Sequence, residues 1–211
     1  MEIVIRNEKL ILDFDRAIYL PDYSILVISD LHLGKSAHFR KSGIQIPKTL
    51  HINDLHRLTK LIDKYKPLKI IINGDMFHSN LNSEIEEFKV WKSNFSEIEF
   101  ILVIGNHDKL KIRDYANLNL KIYTEQFILN NLSFTHQKSD VETENYLITG
   151  HVHPGISIVG KAKQRLKFPC FYFSDTYAIM PAFSEFTGLY NIYPNKNDRT
   201  FAIVKDKIIE F

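Results

Sequence analysis

Eight side chains able to bind a cation or move a proton sit at abrupt polar breaks in this sequence. They are Asp30 and His32, Asp75 after Gly74, Asn106 and His107 after Gly105, His136 after Thr135, and His151 and His153 after Gly150. Imidazole nitrogens with carboxylate and amide oxygens, and no thiolate, suit hard to borderline divalent cations such as Mn²⁺, Fe²⁺, Zn²⁺ or Ni²⁺ rather than Cu(I). One catalytic ion uses about three protein ligands and a water. Asp30, His32, Asp75, Asn106, His136, His151 and His153 are more than one ion needs. They would serve two ions about 3.5–4 Å apart if one carboxylate were shared. Asp75, from the middle of three strand ends, is the natural bridge. Asp30 and His32 are two residues apart, as are His151 and His153, so each pair can face one side of an extended segment. Alone, each fragment has a plain alternative: Gly-Asp is turn and helix-cap chemistry, and Asp-X-His can be an ordinary loop. Five such breaks in order, each closing an apolar run, are hard to obtain from loops alone.

The elements that must position these residues are legible around them. Ile25–Ile28, Leu68–Ile72 and Phe100–Ile104 are short apolar runs of the kind buried on both faces of a parallel sheet. Each stops at one of the polar clusters, and ligands of open α/β sheets bind at the carboxyl ends of strands. Leu50, Leu55, Leu58, Leu61 and Ile62 recur at helical spacing after Pro47, which is placed to open a helix. Ser83 with Glu86 resembles a capping box ahead of Ile85, Phe88, Val90 and Trp91. The first half therefore reads βαβαβ with right-handed crossovers, behind a hairpin of residues 2–6 and 9–13 that turns near Asn7 and Glu8. Beyond about residue 120 short β-type runs take over and point to antiparallel pairing. The fold class is α/β, with a two-sheet core flanked by helices, and no repeat or linker divides the 211 residues.

In order and over residues 25 to 160, Asp30-X-His32, Gly74-Asp75, Gly105-Asn106-His107-Asp108, His136 and Gly150-His151-X-His153 resemble the calcineurin-like metallophosphoesterases. The resemblance implies a four-layer sandwich of two mixed β-sheets between helices, in one domain of residues 1–211 without a cap. It also divides the ligands. Asp30, His32, Asp75 and His153 would hold one divalent ion, and Asp75, Asn106, His136 and His151 the other, with Mn²⁺ as the first expectation. The second motif departs from the common Gly-Asp-X-X-Asp, reading Gly74-Asp75-Met76-Phe77-His78-Ser79. That variant, with Leu33-Gly34-Lys35, Phe39-Arg40, Gly43, Pro47, Pro154, Arg165, Pro169-Cys170-Phe171, Met180-Pro181-Ala182-Phe183 and Phe186-Thr187-Gly188, is similar to the bacterial DNA-ligase-associated metallophosphoesterases, a group of DNA damage response endonucleases. Ser184 and Leu189 stand where that group has glycine.

The implied activity is phosphodiester hydrolysis by a metal-activated hydroxide, with two ions offsetting the charge of the phosphate. DNA cleavage in repair, beside a ligase and a helicase, comes with the resemblance. By the same resemblance His107 binds no metal, and an imidazole pKa near 6.5 suits it to protonate the leaving alkoxide. Asp108 could orient that imidazole and raise its pKa, or could instead cap the segment that follows. His78 could support Asp75 or neighbour a ligand, or be an ordinary surface histidine.

Composition bounds the rest. A formal charge of +2 falls short of a strongly basic nucleic-acid footprint. One cysteine excludes an intrachain disulfide and favours a reducing, cytoplasmic compartment. No apolar run approaches a membrane span of about 20 residues. Lys161, Lys163, Arg165 and Lys167 alternate, so on an extended segment they share a face and could contact backbone phosphates, with Arg40 adding to them. They could equally guard a solvated edge strand. Phe171, Tyr172 and Phe173 could stack bases, though core packing accounts for them more simply. Single-stranded DNA leads the substrates. A small diester of the cyclic-nucleotide type and a non-catalytic, protein-binding scaffold of the same fold are the alternatives.

Overall fold

The computed structural model describes residues 1–35, 43, 50–78, 83–138, 143–159 and 164–211. Pro47, Arg40, Lys161 and Lys163 lie outside them. The chain opens on a hairpin of β1 (Glu2–Ile5) and β2 (Glu8–Asp13). Arg6 and Asn7 between them both have left-handed backbone, at φ 50° and 68°, which gives a turn the twist of the strands it joins. Antiparallel β3 (Ala17–Leu20) and β4 (Ile25–Ile28) extend the sheet. From β4 onward the pairing turns parallel, through β5 (Lys69–Asn73), β6 (Glu99–Val103) and β7 (Lys121–Tyr123). The crossovers carry α1 (Leu50–Tyr65), α2 (Ser83–Lys92) and α3 (Ile112–Asn117). Helix α1 stops where Lys66 turns left-handed (φ 46°), its N–H reaching back 2.8 Å to Ile62 O, and Pro67 follows.

Alternation along the parallel strands decides what covers each face. Leu26, Ile28, Ile70, Ile72, Phe100 and Leu102 pack with Leu55, Leu58, Leu61 and Ile62 of α1, Ile85 and Phe88 of α2 and Tyr115 of α3. Ile25, Val27, Ile71, Ile101 and Val103 point the other way, against Phe134, Ile148, Phe171, Phe173 and Phe201 of a second sheet. Burying each such side chain is worth about 1.5–3 kcal/mol.

The second sheet consists of β8 (Phe127–Leu129), β9 (Leu132–Phe134), β10 (Tyr146–Thr149), β11 (Pro154–Val159), β12 (Arg165–Phe173), β13 (Tyr177–Ile179), β14 (Tyr190–Asn191), β15 (Arg199–Val204) and β16 (Lys207–Glu210). Its order is β14-β11-β12-β13-β10-β9-β8, with β15 pairing β12 and β16. Pairing is mixed, since β9 and β13 flank β10 in parallel. Two mixed sheets are what the resemblance implies, whereas the antiparallel pairing expected beyond residue 120 gives way to parallel pairing on both sides of β10. The described helices all cover the first sheet, and none lies on the second. Elements β3, β7, β13 and α3 had left no sequence signal, because three to six residues are too few to establish a period. Among the described residues no helix is long and apolar enough to cross a membrane.

Candidate metal centre

The carboxyl ends of β4, β5 and β6 meet those of β9 and β10. Two loops run side by side there: Asp30 N donates to Gly74 O (3.1 Å), His32 N to Asp75 O (2.9 Å) and Leu33 N to Met76 O (2.8 Å). Leu31, Leu33, Met76 and Phe77 anchor these loops in the helix-side core. Asn73 ties the two sheets together, its Nδ2 donating to Thr135 O (3.2 Å) and Ile148 O (2.9 Å). Ser29 Oγ lies 2.6 Å from Asp30 Oδ2 and 2.8 Å from Asn73 O.

Seven side chains converge at this junction in two groups. His153 Nε2 is 3.2 Å from Asp30 Oδ1 and 3.3 Å from His32 Nε2. His136 Nε2 is 3.3 Å from Asp75 Oδ1, 2.9 Å from Asn106 Oδ1 and 3.2 Å from His151 Nδ1. Within each of the sets Asp30, His32, His153 and Asp75, His136, His151, the ligand atoms lie within 4.8 Å of one another. Donors about 2.0–2.2 Å from a cation at tetrahedral or octahedral angles stand roughly 3 Å apart, so these separations and this all-nitrogen-and-oxygen donor set fit divalent ions.

The convergence does not come from the strand pleat, as the spacing of two had indicated. Asp30, His32, Asp75, His151 and His153 all have left-handed backbone, at φ 54°, 51°, 49°, 65° and 52°. Alternate residues kink toward the site while Leu31 between them is buried. The glycines beforehand permit the close approach. A Cβ on Gly74 would overlap the His136 ring, and one on Gly150 would overlap Ser29 Oγ and Asp30 Oδ2.

The electrostatics prepare a cation site. Burial alone would raise the Asp75 carboxyl, but the hydrogen bond and charge of His136 outweigh it and hold it at about 2. Asp30 is lowered in the same way, burial being outweighed by His153 and the other histidines. Burial depresses His32 to about 3 despite Asp30, which leaves a neutral imidazole. Burial and the charge of His136 lower His151. Burial would lower His136, but its bond to Asp75 and the charges of Asp30 and Asp75 together outweigh it and raise it. Ionised carboxylates beside neutral imidazoles, as at His32 and His151, are the states that metal ligation requires, and at His136 ligation would displace a proton.

His107 stands at the open side, its side chain 41% exposed and Nε2 4.0 Å from Asp75 Oδ2, while its N–H donates to Asp75 Oδ1 (2.9 Å). The His78 ring packs against it at 4.7 Å between centroids, and also against His32 at 5.6 Å. Asp108 differs from expectation. Its carboxylate does not turn to His107; it accepts from Phe77 N (2.8 Å) and Gly105 N (2.9 Å), stitching the second and third loops. Burial pushes it up to about 7. Arg165 is exposed at the start of β12 and shares a face with Lys167, whose Nζ donates to Leu189 O (2.7 Å). Phe171, Tyr172 and Phe173 are buried and belong to the core. Sequence reasoning missed Asn73 and Ser29. Nothing but the Asn73-Gly74 break marked the first, and the second joins its neighbour Asp30 to Asn73 O, which only folding brings near.

A profile of the calcineurin-like phosphoesterases matches residues 23–172. The crystal structure of a Pseudomonas putida nuclease, MPE, is similar with a TM-score of 0.84 and 26% identity, over 100% of this chain and 99% of that one. The E. coli phosphoesterase Yfce is more distant, with a TM-score of 0.47 and 15% identity over 89% and 97% of the two chains. No curated protein matches this sequence.

Proposed function

The chain belongs to the calcineurin-like phosphoesterases, and from that membership we propose that it is a dinuclear, Mn²⁺-dependent phosphodiesterase that cleaves single-stranded DNA internally. Metal-dependent phosphoester hydrolysis is the activity of the family. The observation that carries the finer reading is the meeting of two ligand groups at one junction, drawn from both sheets. Asp30, His32 and His153 would hold one cation, and Asn106, His136 and His151 the other, with Asp75 near enough to serve both. When bound, two divalent cations offset the negative charge of a diester and make a water nucleophilic near neutral pH.

The chain's own residues complete the chemistry. His107, fixed through its backbone to Asp75 and open to solvent, protonates the leaving alkoxide. His78 supports the His107 ring from the side. Asp108 acts by joining the two loops on which they stand. The full-length likeness to a nuclease supports a polynucleotide substrate. Arg165, with Arg40, Lys161 and Lys163, contacts backbone phosphates. A cytoplasmic role in DNA repair, in company with a ligase and a helicase, belongs to the same reading.

The test is one assay on metal-stripped protein restored with Mn²⁺, Fe²⁺, Zn²⁺ or Ni²⁺, using circular single-stranded DNA and a chromogenic diester in parallel. Mn²⁺ is expected to support breakage of the circle. Hydrolysis of the diester with the circle left intact moves the substrate to small diesters. No bound ion and no turnover overturns the reading.

A further inference from the structure

Against His151 the second sheet opens into a cavity of about 530 Å³, lined by Gln137, Lys138, His151, Val152, Tyr177 and Ile179. Its size falls in the range of about 300–1,000 Å³ typical of small-ligand sites. Alternation explains its wall. Ala178 of β13 points into the inter-sheet core, so Tyr177 and Ile179 face outward, on a side that no described helix covers. Lys138 sits over the Tyr177 ring, Nζ 3.9 Å from the centroid. Gln137 Nε2 is 3.3 Å from His151 Nε2.

We propose that this cavity is a nucleoside subsite, taking the nucleoside on one flank of the scissile phosphate. The proposal rests on the phosphodiesterase reading above. His151 belongs both to the ligand group and to the cavity wall, so one arm of a diester held at the junction extends into it. An aromatic and aliphatic wall with the Lys138 ammonium beside it matches a flat base joined to a further phosphate. A base displaces the Lys138 ammonium from the Tyr177 ring and stacks there, and the ammonium turns to that next phosphate. The site thereby selects nucleotides over plain esters.

The experiment compares wild type with Tyr177→Ala, Tyr177→Phe and Lys138→Gln. Substrates are thymidine 5′-(4-nitrophenyl phosphate), its 3′ isomer and methyl 4-nitrophenyl phosphate, and a fluorescent oligothymidylate is titrated in EDTA as a binding readout without turnover. Wild type is expected to prefer one thymidine ester over the methyl ester. Tyr177→Ala is expected to cut that preference about tenfold through KM, and Tyr177→Phe to keep it. Lys138→Gln should weaken oligothymidylate binding severalfold and flatten its salt dependence. Equal rates on all three esters in wild type, or a Tyr177→Ala variant with undiminished preference and oligothymidylate affinity, overturns the subsite. If wild type hydrolyses no ester, the diesterase reading fails separately, and the oligothymidylate affinities alone decide the cavity.

Discussion

At the residue scale the site is made by backbone that most side chains avoid. A non-glycine residue in the left-handed region costs about 1–3 kcal/mol, and five of the seven converging residues adopt it. Asp, Asn and His tolerate that region better than most, and the bonds from Asp30 N and His32 N to the neighbouring loop hold it. The glycines are as specific as the ligands. Gly150→Ala would drive a Cβ into Ser29 and Asp30, whereas a Cβ on Gly188 meets nothing within 4 Å. Gly150→Ala is expected to lower the melting temperature and weaken Mn²⁺ binding in a calorimetric titration, and Gly188→Ala to do neither. His107→Ala tests the proposed acid. It should keep its divalent ions by elemental analysis and lose turnover by about 10²–10⁴. Loss of metal together with activity would mean that His107 is a ligand.

At the element scale, the strands bring the site together and side-chain ties hold the elements in place. Asp13 at the end of β2 accepts from Lys64 Nζ (2.7 Å) and Tyr65 OH (2.7 Å) at the end of α1, and from Asp15 N (2.9 Å). Burial alone would raise this carboxyl; those three donors outweigh it and lower it from 3.8. A carboxylate depressed in the folded chain contributes stability that is present above its unfolded value and lost as pH falls through its folded one. Asp13→Asn should therefore cost about 1–3 kcal/mol at pH 7. In urea titrations its deficit should shrink as pH drops below 3.8. An equal deficit at pH 7 and pH 3 would assign the effect to packing instead.

At the scale of the whole molecule, the candidate ligands belong to both sheets. Asp30, Asp75 and Asn106 follow strands of the first, and His136, His151 and His153 follow strands of the second. Cations held between them would clamp the two sheets at the end where Asn73 already ties them. A ligand bound only by the folded state stabilises by about 2.7 kcal/mol at a hundred times its Kd. Mn²⁺ should therefore raise the melting temperature of EDTA-treated protein by several degrees. Asp75→Asn, which removes the shared carboxylate, should abolish most of that shift.

What the sequence by itself determined was the order and chemistry of the polar breaks and the parallel half of the fold. Both are local properties: apolar runs such as Ile25–Ile28 and Phe100–Val103 form buried strands, and their ends are where side chains can reach a ligand. Only the tertiary structure decided how those ends meet. Asn73 spans to residues 62 and 75 positions away, and Asp108 bonds Phe77 rather than its neighbour His107. The left-handed kinks at Asp30 and His151 persist because distant groups accept their bonds, Gly74 O from Asp30 N and the Asp30 carboxylate from His151 N. Phe171 and Tyr172 fill the core, and Tyr177, unmarked in the sequence, reaches the surface beside His151. Partners so far apart along the chain leave no periodic trace, because they are selected by packing and by the cost of unpaired buried polar groups, and neither exists until the sheets close on each other.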